Sequence, residues 1–455
     1  MPARANALAL ALLLPVQTMW ALSPWNSQPP AAVPSLAFEG GRPSVLGTPV
    51  LKAKAFNLSD VRLIADEDNH FQQAQELNTQ FLKYLEADRL LYTFRTIAQL
   101  PQKPGATPYG GWIAPVGQDE LVNGHFTGHF LSAMAFTVAA TDDPAILAKS
   151  RYMVAELAKC QDAICKNNVT RCGYLSAYYF SQLEAMENHE GGTWATLYTL
   201  HKIMAGLLDT YENTANDQAL SIVVKMADFL KKRVDDVIAR KGWAWWEGCL
   251  EVEFGGMNEV AYNLYAITQD ESHKVLGDYF YKARFMDPLA HAQEYALTGQ
   301  HANTHLPEII GVARGWEMTG NSTLSQITQF FYRILTEHYT YSATGGSNQV
   351  EHWLYPDQLG TAVATVPGHD SAGYHTEESC TQYNVLKIVR HLFKWAPSAA
   401  LGDDYEHKVC AIHSFIHSFI HSFVRSFVRS FIHYNDAIKC NLVYNMQMNS
   451  IDLHF

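Results

Sequence analysis

The sequence predicts an all-α protein, arranged as a closed toroid or a solenoid of helix hairpins. Three observations carry that prediction. Helical periodicity recurs in pairs of segments from about residue 71 to residue 395. Strand-like alternation of apolar and polar residues is scarce over the same span. Several pairs open with a loop carrying Gly, His or Asn, and in a toroid such loops gather at one end around a shared pocket. With 455 residues, 48% hydrophobic and 17% charged, the chain can bury one large core. Its net charge of −12 argues against a nucleic-acid partner, which needs a basic face. Aromatic residues, at 12%, suit either a core or the faces of sugar rings.

Residues 1–22 read as a secretory signal. Arg4 gives a positive start, Ala7–Leu14 is a short apolar run, and Ala21 lies near a cut site. The run is too short to span a bilayer, so no membrane partner is expected. Sequons at Asn57, Asn168 and Asn321 fit an extracellular location. Residues 23–59 form a linker, rich in Pro, Ser and Gly through residue 50, and the main domain is expected over 60–400.

The first helix is predicted over Phe71–Arg95, with Leu77, Phe81, Leu82, Leu85, Leu90 and Leu91 at helical spacing. Gly124-His125-Phe126-Thr127-Gly128-His129 leads into a buried helix, and a second follows around Pro144–Leu157. A polar break then carries Cys160, Cys165 and Cys172, where an oxidising compartment allows a local disulfide. Further pairs follow at Thr193–Tyr211 with Asp217–Arg240, after Gly255-Gly256 through Ser272–Phe285, and at Ile309–Thr319 with Leu324–Tyr339. A last helix covers about Thr381 to Trp395. Residues 401–455 are an atypical tail. In it Ile/Val-His/Arg-Ser-Phe repeats, placing Phe415, Phe419, Phe423, Phe427 and Phe431 four apart, as an amphipathic helix or an expanded low-complexity tract would.

Reactive groups concentrate in residues 345–384. Glu351 stands beside His352 and Trp353, and Glu377, Glu378 and Cys380 fall within four positions. Carboxylates transfer protons, attack carbon and bind metal; a thiolate is a nucleophile or a soft ligand. Structural roles compete with these. Glu351 fits a surface acid, Glu378 a helix first-turn acid and Cys380 a core thiol. Each of His125, His129, His201, His301 and His305 fits a buried structural imidazole as well as a sugar contact. A toroid would gather all five near this stretch.

Seven motifs, in the same order, resemble glycoside hydrolase family 127. They are Leu85-Glu86-Ala87-Asp88-Arg89-Leu90-Leu91, Gly124-His125-Phe126-Thr127-Gly128-His129 and Leu200-His201-Lys202-Ile203-Met204-Ala205-Gly206-Leu207. The others are Phe254-Gly255-Gly256-Met257-Asn258-Glu259, His301-Ala302-Asn303-Thr304-His305, Thr344-Gly345-Gly346 with Glu351, and Glu378-Ser379-Cys380. The resemblance covers roughly residues 60–400 and implies an (α/α)6 barrel followed by β-sandwich domains. It implies a secreted, retaining hydrolase acting on arabinofuranosides or related glycans, with a cysteine nucleophile and a zinc ion held by one Glu and three Cys. Carried over, Glu351 is the acid/base and Glu378 and Cys380 are zinc ligands, with His125, His129, His201 and His301 binding substrate. Zinc favours such donors and would keep a nearby thiol ionised.

The sequence departs from that pattern downstream. The family's other two zinc cysteines, one of them the nucleophile, fall where this chain has its Ser-Phe repeat, and neither Cys410 nor Cys440 has their adjacent-cysteine setting. The β-sandwich domains are missing. The stretch from Glu351 to Glu378 is longer than the family's, with Gly360–Gly373 as the insertion. The expectation is therefore a C-terminally truncated barrel with an incomplete zinc ligand set. A catalytically inactive barrel that binds carbohydrate is the alternative.

Overall fold

The computed structural model describes residues 49, 51–64, 69–110, 122–349, 351–354, 356–360 and 378–409, all within one compact unit. The predicted signal peptide, most of the linker, Glu377, the bulk of the Gly360–Gly373 insertion, Cys410, Cys440 and the Ser-Phe repeat lie outside the described residues.

Helices dominate, and no strand occurs among the described residues beyond isolated bridges at His301, Gln349 and His352. The order is α1 (His70–Tyr84), α2 (Ala87–Leu90), α3 (Tyr92–Ile97), α4 (His125–Thr141), α5 (Pro144–Asn167), α6 (Phe180–Glu187), α7 (Thr196–Thr214) and α8 (Asp217–Lys241). Then come α9 (Trp243–Cys249), α10 (Met257–Thr268), α11 (Glu271–Asp278), α12 (Ala283–Ala290), α13 (Ala302–Thr319), α14 (Ser322–Ile334) and α15 (Ser379–Trp395). None of these helices is long and apolar enough to cross a membrane.

Helices α4, α7, α10, α13 and α15 pack side by side in that order, while α5, α8, α11 and α14 return on the outside. This is the alternation of an (α/α) barrel. The patterning explains which helix goes where. In α4 the residues Phe126, Thr127, Gly128, Phe130, Leu131, Ala133, Met134 and Ala135 are all buried, so it is apolar nearly all round and belongs inside. In α8 burial follows a single stripe, Ile222, Met226, Phe229, Leu230, Val234 and Val237, and charged residues face out. A Cβ added at Gly128 would stand 2.0 Å from the Lys202 carbonyl oxygen, and one at Gly206 would stand 2.2 Å from the Gly128 carbonyl oxygen. The α4–α7 crossing is therefore a backbone-on-backbone contact that only glycine permits.

The outer helices carry ordinary caps. Asp143 accepts hydrogen bonds from Ala145 and Ile146 N–H at 3.0 Å, with Pro144 as the first helical residue. Asn216 accepts from Ala219 N–H at 3.2 Å.

Four predicted boundaries move, each through a tertiary contact or a local stop. The helix expected over Phe71–Arg95 breaks at Leu85, because the Lys149 ammonium takes the carbonyls of Leu82, Lys83 and Leu85 and so caps α1. The helix expected to end near Leu157 continues to Asn167, which makes Cys160 and Cys165 helical. A disulfide joins Cys165 to Cys172 across the turn that follows, and Cys160 is a buried free thiol. The segment expected over Ser272–Phe285 divides into α11 and α12, and the one over Leu324–Tyr339 ends in a π-turn at Leu335–Tyr339.

Candidate active site

The hairpin alternation sets all five inner helices pointing the same way. Their first residues are His125, Thr196, Met257, Ala302 and Ser379, so the motif-bearing loops meet at one end of the barrel. Fixed backbone groups hold the histidines there. His301 is the cap of α13, its Nδ1 accepting from Thr304 N–H at 3.2 Å. His201 Nδ1 accepts from Gly256 N–H at 3.3 Å. Gly255, at φ +58°, is required for this: a Cβ there would stand 2.5 Å from His201 Nδ1. Each of these imidazoles, when neutral, therefore carries its proton on Nε2. His125 is the reverse case, because its Nδ1 donates to the Val122 carbonyl at 2.5 Å and Nε2 is left as an acceptor. His129 stands edge-on to His125 at 5.9 Å, and the Tyr198 ring lies 5.8 Å from His125.

Burial keeps this wall uncharged. It lowers the pKa of His125 to about 4 and holds His129 and His201 well below the ordinary value, with Lys202 adding repulsion. Neutral imidazoles offer hydrogen bonds without charge, which suits hydroxyl groups. The fifth histidine, His305, plays a packing role: its Nδ1 donates to the His301 carbonyl at 2.8 Å and its ring lies 4.3 Å from Phe285.

Glu351 arrives by main-chain lacing. Gln349 and His352 exchange hydrogen bonds of 2.7 and 2.9 Å around a turn in which Glu351 has φ +66°. The turn is tied to the start of α13, since Ala302 N–H donates to the Glu351 carbonyl at 2.8 Å and Trp353 N–H to the Gln300 carbonyl at 3.0 Å. This brings Glu351 Oε2 to 3.7 Å from His301 Nε2 while leaving the carboxylate mostly exposed. Burial acts to lower the His301 pKa, but the charges of Glu351, Glu253 and Glu378 outweigh it and raise it.

Glu378 and Cys380 stand at the start of α15. Glu378 accepts from Asn348 Nδ2 at 3.2 Å and donates its own N–H back to Asn348 Oδ1 at 3.1 Å. Burial, then the charge of Glu351, raises its pKa. Burial and Glu378 push the Cys380 thiol up as well, so it is protonated at neutral pH. The two residues supply two metal donors. Among the described residues no third His, Cys, Asp or Glu joins them within ligating reach. Among the described residues they do not complete a zinc site. Glu294, Glu337 and His338 do come close enough together to hold an ion. There Arg333 already bridges the two glutamates at 2.7–3.0 Å, and Asp357 takes His338 Nδ1 at 2.7 Å.

Seven of the residues singled out in the sequence, His125, His129, His201, His301, Glu351, Glu378 and Cys380, thus lie at the same end of the barrel. Others there were not singled out. Lys202 is flanked by Glu253 and Cys380, and its ammonium lies 5.0 Å from the Tyr198 ring. It has no hydrogen-bond or ion-pair partner among the described residues, and burial lowers its pKa to about 8. Burial raises the pKa of Glu253, against the pull of His301 and Lys202. Lys387 of α15 pairs with Glu259 of α10 at 2.8 Å. Lys202 adjoins His201, and Glu253 stands two before the Gly-Gly turn. Those positions were the available signal.

A helical barrel with this end-on cluster of imidazoles and carboxylates is of the glycoside-hydrolase class. The chain belongs to the family described as β-L-arabinofuranosidase, GH127 catalytic domain, which matches residues 60–410. Among solved structures it is similar to a GH127 β-L-arabinofuranosidase from Geobacillus stearothermophilus T6. The TM-score is 0.53 and the identity 16%, over 76% of this chain and 55% of that one. A second, a GH127 β-arabinofuranosidase, gives TM-score 0.52 and 14% identity over 78% and 53%. At these identities the likeness shows the fold. The chain spans about half the length of these two structures. No curated protein matches it.

Proposed function

We propose that the protein is a secreted, retaining glycoside hydrolase acting on arabinofuranosides or related glycans. The observation that carries the reading is the 3.7 Å approach of Glu351 to His301 at the mouth of the barrel, in a chain of this family. Glu351 is exposed enough to meet a glycosidic oxygen, and it acts as the acid that protonates the leaving group and then as the base that activates water. His301, with its proton on Nε2, orients that carboxylate. His125, His129 and His201 are the neutral wall that takes the hydroxyls of the sugar. Glu378 and Cys380 would supply two of the donors for the zinc that the family resemblance implies. The nucleophile has no assignment among the described residues. Secretion is supported by the Cys165–Cys172 disulfide and by the exposure of Asn57 and Asn168.

The two-donor metal set favours a second reading, a barrel that binds carbohydrate without turnover. Hydrolysis of an aryl β-L-arabinofuranoside by the purified protein separates the two. The hydrolase reading expects turnover that falls on the order of 10²- to 10⁴-fold in Glu351→Gln. Sugar binding by calorimetry with no turnover would replace it with the second reading. Turnover unchanged in Glu351→Gln would remove Glu351 from the acid/base role.

A further inference from the structure

One face of α7 is not used by this chemistry. Trp194, Tyr198 and Lys202 recur at every fourth position. Tyr198 and Lys202 lie one turn apart on α7, with the Lys202 ammonium 5.0 Å from the Tyr198 ring. Trp194 lies outside the helix, in the turn before it, where both the N–H and the Oγ1 of Thr196 reach the Thr193 carbonyl, at 3.4 and 3.1 Å. Main-chain hydrogen bonds through Glu253 link it to Tyr198, at the rim of the site.

Trp194 is held at that rim by its main chain. Glu253 N–H donates to the Trp194 carbonyl at 2.8 Å, and Tyr198 N–H donates to the Glu253 carbonyl at 3.0 Å. The segment bearing Trp194 is thereby tied to Glu253, whose side chain interacts with His301, Lys202 and Glu351. Yet the residue remains 56% exposed. Trp243, also on the surface, at least stacks edge-on with Tyr279 at 5.8 Å. An indole fixed in place by its backbone, with its ring in water beside a sugar site, presents a flat apolar face at little conformational cost.

We infer that Trp194 is the platform for a second sugar ring, the one on the leaving-group side of the scissile bond. Lys202, one turn beyond Tyr198, donates hydrogen bonds to the sugar being cleaved. The substrate is then a glycoside whose leaving group is itself a sugar. This rests on the hydrolase reading above.

The test compares two substrates, an arabinofuranosyl disaccharide and a methyl arabinofuranoside, which has no ring to stack. In Trp194→Ala the KM for the disaccharide should rise about 2- to 12-fold, the equivalent of one aromatic stacking contact. The KM for the methyl glycoside and kcat for both should hold, and Trp194→Phe should restore most of the loss. Equal effects on the two substrates, or none on either, overturn the inference while leaving the hydrolase reading intact. If the unmodified protein neither hydrolyses nor binds either compound, the hydrolase reading itself fails and the inference with it. Thermal unfolding of Trp194→Ala should match the parent, since the indole packs on little; a large drop would make Trp194 a folding residue and overturn the platform.

Discussion

Two buried glutamates on α13 face opposite fates. Glu317, near the end of the helix, accepts hydrogen bonds from His391 Nδ1 at 2.7 Å, Arg314 at 2.8 Å, Trp395 Nε1 at 3.0 Å and Lys394 at 3.2 Å. Burial works to raise its pKa, but these partners outweigh burial and hold the carboxyl well below the usual range. Glu308, two turns from the start of the same helix, is fully buried, and neither carboxylate oxygen has a hydrogen-bond partner among the described residues. Its nearest cation, Lys282, stands 3.9 Å away, and burial pushes the Glu308 pKa up to about 8. The end of α13 satisfies its buried charge, while Glu308, toward the start of the helix, is left without such partners. Lys202 and Glu253 follow the second pattern. Perturbed groups of this kind gather at functional sites, where desolvation is part of the design.

The largest effect should come from the satisfied end. Glu317→Ala leaves Lys394 and Arg314 without their shared anion in a dry setting, and such losses run at about 3–5 kcal/mol. Denaturant unfolding should show that drop with no change in sugar binding at the far end. A loss under about 1 kcal/mol would mean that the network is held by packing, as exposed pairs are.

The strained end should respond to pH instead. Glu308 has a folded-state pKa above its unfolded one, so its contribution is fully present below about pH 4.3 and is lost as pH rises through about 8. Glu308→Gln removes that titration. Its stability relative to the parent should improve between pH 5 and pH 8, on the order of 1–3 kcal/mol. Parallel stability curves for the two proteins over that range would show that Glu308 is already ionised in the native state.

The same contrast explains what was legible in the sequence. The hairpins were, because the single stripe of α8 and the apolar run of α4 are local patterns. The break at Leu85 was not, because the group that caps it, Lys149, lies 64 positions away. The cysteine pairing needed the end of α5 to be known before Cys165 could be chosen over Cys160. At the site, His301 and Glu351 carry their own motifs, but their meeting depends on main-chain hydrogen bonds from Ala302 to Glu351 and from Trp353 to Gln300, far apart in sequence. Lys202 and Glu253 are marked in the sequence only by their places beside His201 and before the Gly-Gly turn, since burial without a partner is a property of the assembled barrel.

The smallest predicted effect separates a cap from a site residue. Outer α5 is capped by Asp143, and Asp143→Ala should cost about 1 kcal/mol with no effect on substrate. Inner α13 is capped by His301, whose other nitrogen faces Glu351. Asn is a strong cap, so His301→Asn can keep the hydrogen bond from Thr304 while removing the Nε2–H that faces the acid. Its unfolding free energy should change by no more than about 0.5 kcal/mol. Its turnover should fall even so, and the acidic side of its pH–rate profile should shift, because a titrating neighbour of Glu351 is gone. If His301→Asn lost as much stability as Asp143→Ala and kept the pH profile, His301 would be an ordinary cap, and the two ends of the barrel would differ less than their charges indicate.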